Sequence, residues 1–341
     1  MQNRKSSAAS TAAFGVLVVL ICVFYAFYSQ ANTVSALFPI CFERSGSDAL
    51  LAQDADWYGS EELRQMQGSS VSSGLAALAE LEHSSFDFTA STAGSLFVRG
   101  ETGLSADYYD AGSGKTAVLL HAYGRSRDFA ARWADFWAGH GYNVLIPQLR
   151  CHDGNDSLTT LGFYEQYDLY DLIRAAADTT GVHAYVIHGE GLGANAALLM
   201  CGNTDLMDGL RSEGAAGITV GLVVAESAST DMMTLITHQA ARQFEMRGIL
   251  SRIAMKFSLN QKLGFSPDSM DITAAAAASA TPTVFVSGTN DGFSPGDWTQ
   301  TLYNACTAEK RLLIAEGVSH GAAWERAGEA YRAAIEELLP Q

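Results

Sequence analysis

Gly189, Gly191 and Gly193 alternate within AYVIHGEGLGANAALL, residues 184–199, which reads as a short apolar strand, a glycine turn and a helix. That spacing suits the turn G-x-S-x-G, in which a strained strand-to-helix corner lifts one side chain above a parallel sheet to attack an acyl carbon. Gly191 holds the central position and has no side chain to lift. Such chemistry also needs a base, an acid that orients it, and N–H donors for the developing oxyanion. Polar groups suited to those tasks follow other apolar runs: His121, the segment Arg150-Cys151-His152-Asp153, Asp291 and His320.

Short apolar runs alternating with helical segments from residue 94 onward predict a doubly wound, mostly parallel α/β sheet. A hairpin is expected over 96–100 and 104–110. Strands follow at 116–121, 143–147, 182–188, 218–225, 283–287 and 310–315. Helices are expected at 128–139, 163–179, 192–200, 296–305 and 322–338. In an open parallel sheet the site lies beyond the carboxyl ends of the strands, which is where the glycine turn and these polar groups fall. A largely helical excursion over 230–257 reads as a small lid. Its Met232, Met233, Leu235, Phe244 and Met246 suit an acyl chain and suit an ordinary core equally well.

The strand-end loops carry a resemblance. The segment 141–154, GYNVLIPQLRCHDG, resembles G-Y-x-V-h-x-P-D-x-R-G-H-G of α/β-hydrolases, with Gln148 for Asp and Cys151 for Gly. Residues 287–295, SGTNDGFSP, resemble the acid loop G-x-x-D-x-x-V-P, and 317–321, GVSHG, the G-x-x-H loop. LGFYEQYD, 161–168, adds to the likeness. From about residue 96 the chain is similar to the bacterial serine-hydrolase branch of that superfamily with a G-E-S-M-G elbow, here G-E-G-L-G.

The resemblance implies an esterase or acyl-hydrolase fold without a cofactor. In it His320 is the base, Asp291 fixes its tautomer, and the backbone N–H groups of Tyr123 and Leu192 form the oxyanion hole. The nucleophile position is Gly191, so the expectation is an impaired enzyme or a pseudoenzyme that binds an acyl or ester-like ligand or a protein partner. The alternative is a hydrolase in which His320 activates a water. Glu190 falls at the variable position of the elbow, where packing or hydrogen bonding is the expected role and substitute nucleophile the lesser one. Cys151, Ser126, Ser227 and Ser319 are further candidates near strand ends, with turn or surface roles as the default. Asp153, Asn155 and Asp156 do not match a calcium loop, and no metal is inferred.

The chain has 341 residues, 48% of them hydrophobic, and a formal net charge of −16. Such a surface repels phosphate backbones, so nucleic acid is not an expected partner. Five cysteines without C-x-x-C spacing suit neither a zinc knuckle nor a complete disulfide framework. Residues 12–28 are uncharged and follow Arg4 and Lys5. They predict a membrane anchor over 12–32, with the short terminus 1–11 inside and the remainder outside the cell. Secretion after signal cleavage is the weaker alternative, and Ile21 before Cys22 argues against lipidation. Residues 33–93 read as a stalk or a segment packed on the domain that runs from 94 to 341.

Overall fold

The computed structural model describes residues 61–91, 102–243 and 245–340, together with scattered positions between 20 and 44. The proposed span 12–32 lies largely outside the described residues. Among those described, no helix is long and apolar enough to cross a membrane.

In chain order the elements are α1 (Glu61–Ala79), β1 (Glu82–Ala90), β2 (Thr102–Asp110) and β3 (Lys115–Leu120). Next come α2 (Arg127–Ala130), a 3-10 turn (Ala131–Trp133), α3 (Ala134–Gly139), β4 (Asn143–Pro147), α4 (Glu165–Thr180) and β5 (Ala184–Glu190). They are followed by α5 (Leu192–Gly202), α6 (Thr204–Arg211), β6 (Thr219–Glu226), α7 (Met232–Gln243), α8 (Ile249–Leu263) and α9 (Ile272–Ala278). The chain ends with β7 (Thr283–Gly288), α10 (Gly296–Ala305), β8 (Lys310–Ala315), α11 (Ala323–Arg326) and α12 (Gly328–Glu336).

The described strands form one eight-stranded sheet in the order β1-β2-β4-β3-β5-β6-β7-β8. Strand β2 runs antiparallel to both β1 and β4, and β3 to β8 are parallel. Successive residues of a strand point to opposite faces, and the central strands divide accordingly. Val118, Leu120, Val223 and Ala225 enter the core beneath α4 to α10, whereas Ala117, Leu119, Leu222 and Val224 enter the core beneath α1 to α3, α11 and α12. Burial on both faces is why these strands read as continuous apolar runs.

The sheet begins inside the segment set apart as 33–93. Strand β1 pairs with β2 from Glu82↔Asp110 to Ala90↔Thr102, so β2 takes an upstream partner, and the strand expected over 96–100 lies outside the described residues. The Gly/Ser-rich stretch 67–74 is helix interior. Gly74 sits so close to the 3-10 turn that a Cβ there would stand 1.7 Å from Ala131 O, which accounts for a glycine in mid-helix.

Candidate active site

The elbow is assembled as its glycines require. Gly191 follows β5 at φ 51°, ψ −106° and is the residue from which α5 departs. A Cβ on Gly189 would lie 2.5 Å from the Gly193 carbonyl carbon, and one on Gly193 would lie 2.5 Å from Leu120. Both flanking glycines are therefore needed for helix α5 to approach the sheet. Gly191 differs: a Cβ there meets only the Ala122 methyl, at 3.5 Å, an ordinary contact. Position 191, at the head of the turn, has room for a side chain.

Ala122 and Tyr123 belong to the loop after β3. Leu192 opens α5, where the first backbone N–H groups have no intrahelical acceptor. His121 is fully buried and donates from Nδ1 to Ala122 O at 2.9 Å. His152, also fully buried, donates from Nδ1 to Arg150 O (2.6 Å) and accepts the Gly124 N–H at Nε2 (3.0 Å). It thereby holds the turn after Tyr123 in one tautomer. Burial lowers the pKa of both imidazoles, and each stands beside the other, with ring centroids 4.8 Å apart.

His320 and Asp291 come together from the loops after β8 and β7. His320 Nδ1 is 3.0 and 2.9 Å from the two Asp291 oxygens. Asp291 also accepts the N–H groups of Phe293 (2.9 Å) and Ser294 (2.7 Å) and the hydroxyl of Ser227 (2.8 Å). Burial disfavours the Asp291 carboxylate, but the His320 charge and these hydrogen bonds outweigh it and lower its pKa. For His320 burial favours the neutral ring, yet the charge and hydrogen bond of Asp291 prevail and raise its pKa. Asp291→Asn is accordingly expected to bring the His320 pKa down below the ordinary histidine value. An imidazole NMR titration checks this, and an unmoved pKa would show that Asp291 does not control the ring.

Beneath the elbow lies a buried ionic cluster that sequence reasoning missed. Arg132 is 0% exposed and reaches Glu190 (2.6 Å), Glu226 (3.5 Å) and Glu325 (3.4 Å), and it donates to Gly321 O at 3.0 Å. It ties the residue before Gly191 to the residue after His320. The approach is close: a Cβ on Gly321 would stand 2.2 Å from Glu190 Oε1. Gln67 of α1 donates to the same carbonyl at 3.1 Å. Burial, together with Glu190 and Glu325, pushes the Glu226 pKa up to about 7 despite Arg132.

The donors along the adjoining chain of contacts have one consistent arrangement. Trp137 Nε1 donates to His188 Nδ1 (3.2 Å), so the neutral His188 carries its proton on Nε2 and donates to Tyr331 (2.9 Å), which donates to Glu226 (3.1 Å). An arginine in a stretch that reads as helix carries no local mark of such a role. The glutamate beside the glycine turn was the only available hint.

The remaining candidates have other duties. Glu190 is an ion-pair partner of Arg132. Cys151 stands at φ 71°, the conformation for which the resembling segment has glycine, and its fully buried thiol bonds to Phe42 O at 3.6 Å. Ser227 supports Asp291, while Ser126 precedes α2 and Ser319 lies in the turn before His320. Asp153 accepts the Arg127 N–H at 3.1 Å, Asn155 caps Ser157 N, and Asp156 pairs with Arg44 at 2.9 Å. Among the described residues no cluster of His, Cys, Asp and Glu could hold a metal ion. Met232, Met233, Leu235 and Met246 are core residues, and Phe244 lies outside the described residues.

Strand order, the antiparallel β2, and the glycine turn, Asp291 and His320 after β5, β7 and β8 give this chain the α/β-hydrolase fold. Among solved structures it is similar to an esterase of Pyrococcus furiosus, with a TM-score of 0.55 and 19% identity over 77% of this chain and 92% of that one. It is also similar to an acylaminoacyl peptidase of Pyrococcus horikoshii (0.53, 14%, covering 76% and 42%) and to an acetyl xylan esterase from Paenibacillus sp. R4 (0.51, 14%, covering 85% and 98%). In sequence it resembles the uncharacterized protein YqkD of Bacillus subtilis (strain 168), 24% identical over 226 residues, 66% of this chain and 70% of that protein. No family model matches the chain.

Proposed function

We propose that this chain is a membrane-anchored, esterase-like hydrolase-fold protein whose cleft binds an acyl or ester-like ligand without forming an acyl-enzyme. The observation that carries this reading is Gly191 at the head of the elbow, in the strained conformation of a nucleophile and with no atom to attack with. A glycine hydrogen cannot open a covalent route. His320, Asp291 and the backbone donors of Tyr123 and Leu192 retain the shape and polarity of a site for a carbonyl group. In support of the anchor, Leu20, Ile21, Val23, Phe24, Tyr25 and Tyr28 are exposed apolar side chains at helical positions. The orientation that follows from Arg4 and Lys5 places the domain outside the cell.

A second reading is favoured by the intact Asp291–His320 pair. His320 takes a proton from water at Nε2, and the hydroxide formed attacks the ester carbonyl while Tyr123 and Leu192 hold the oxyanion. Collapse then expels the alcohol, which recovers the proton from His320. Turnover of short acyl esters by the full chain and by its His320→Ala variant tests the choice. Equal rates are expected. A parent rate that drops on His320→Ala overturns the binding-only reading in favour of the water route.

A further inference from the structure

Helix α8 carries a second apolar stripe besides the one it turns to this domain. Ser251 and Ser258 are on its buried side, with Ala254, Met255 and Leu259. Ile249, Ile253 and Phe257, spaced four residues apart and so aligned on one face, stand 70%, 49% and 54% exposed, with Leu250 beside them. Contiguous exposed apolar side chains of this kind mark an interaction surface.

Two further observations name the occupant. Residues 247–262 carry Arg247, Arg252, Lys256 and Lys262 and no acidic residue, in a chain whose net charge is −16. Arg252 and Lys256 are exposed and alternate with the apolar side chains along the same face, Lys256 in a solvent-exposed pair with Asp268. Moreover, the Phe257 ring meets Phe27 edge-on, with centroids 6.0 Å apart, so the stripe is continuous with the exposed apolar side chains at 20–28. Large apolar side chains interleaved with cations are the composition of a helix lying in a membrane interface among anionic headgroups.

We propose that the outward face of α8 is a membrane-docking surface that seats the domain on an anionic lipid bilayer, in addition to the anchor over 12–32. The contact holds α8 at the headgroup level with Ile249, Ile253 and Phe257 among the upper acyl carbons and Arg252 and Lys256 among the phosphates. The inference extends the membrane reading of residues 12–32 but is tested apart from it.

The experiment reconstitutes the full chain and its Phe257→Trp variant into vesicles of phosphatidylcholine with about one third phosphatidylglycerol, with and without acyl-chain bromination. The emission added by Phe257→Trp is expected to fall by at least half in brominated vesicles and to recover when Arg252→Glu and Lys256→Glu are introduced. Unquenched added emission overturns the proposal. Blue-shifted but unquenched emission with a doubled mass by light scattering also overturns it, in favour of self-association. Flotation of the same vesicles after alkaline carbonate reads the anchor alone. Quenching without carbonate-resistant flotation sustains α8 docking and removes the anchor, whereas the reverse removes α8 docking and keeps the anchor.

Discussion

Gly191→Ser is expected to raise kcat/KM for short acyl esters by about 10³-fold or more, because on the proposed reading it supplies the nucleophile. The substitution is sterically permitted. A Cβ at Gly191 finds only the Ala122 methyl at 3.5 Å, so neither β3 nor α5 must move. The cost is conformational: φ of 51° is uncommon for an L-residue, and holding it takes about 1–3 kcal/mol from a framework that already imposes it on the glycine. The new hydroxyl would project toward the loops that carry Tyr123 and His320. His320, drawn toward its protonated form by Asp291, can accept the Ser proton and hand it to the leaving alcohol. Covalent labelling by a serine-directed phosphonate checks the chemistry independently of turnover, and adding His320→Ala is expected to remove both. A folded Gly191→Ser variant that neither labels nor turns over esters would show that Gly191 is not at the nucleophile position.

Arg132→Met is expected to destabilise the fold by about 3–5 kcal/mol at pH 8, the range for removing one partner from a buried ion pair. The reason lies in the charge balance. Arg132 is the cation shared by Glu190, Glu226 and Glu325, and methionine fills much of the space while leaving three carboxyl groups facing one another. The pH dependence fixes the sign. Glu226 is raised to about 7 in the folded chain, so the native state holds a proton that the unfolded chain releases at lower pH. Such a group stabilises at low pH, and its contribution is lost as pH rises through about 7. Without Arg132 the carboxyl groups of Glu226 and Glu325 are pushed further up, so the variant is expected to recover much of its stability near pH 5.5. Urea unfolding at the two pH values measures this. A loss below about 1 kcal/mol that does not change with pH would show that the cluster is not held by charge.

The cluster also bears on how the site is built. Arg132 meets the elbow through Glu190 and the histidine loop through Gly321 O, and α1 reaches that carbonyl through Gln67. The separation between the nucleophile position and His320 is thus set by a buried network on the face of the sheet opposite α5. A substitution in this network is expected to disturb activity in Gly191→Ser without touching a reacting atom.

Much of this was legible in the residues. Strands buried on both faces announce themselves as apolar runs, which is why β4 and β7 stand close to where periodicity placed them. The glycines of the elbow were legible by their spacing after an apolar strand, and Asp291 and His320 because each lies in the loop that follows one. Strand β1 was not: EHSSFDFTA is an edge strand with one wet face, and its polar, serine-bearing pattern resembles a loop until β2 is set beside it. Gly74 carries no sign of its place either, since the Ala131 carbonyl it admits comes from a distant part of the chain.

The sequence by itself determined the α/β-hydrolase architecture and the order of the glycine turn, Asp291 and His320 along it, because each depends on local patterning or on the identity of one residue. Only the tertiary structure decided that Gly191 has room for a side chain while Gly189 and Gly193 do not. It also decided that Glu190 and Cys151 are engaged elsewhere, that Ser227 serves Asp291, and that Arg132 joins three glutamates beneath the site. Those are facts about distances between residues far apart in the chain, and burial, which sets the energy of a charge or the need for a glycine, exists only once the sheet has brought them together.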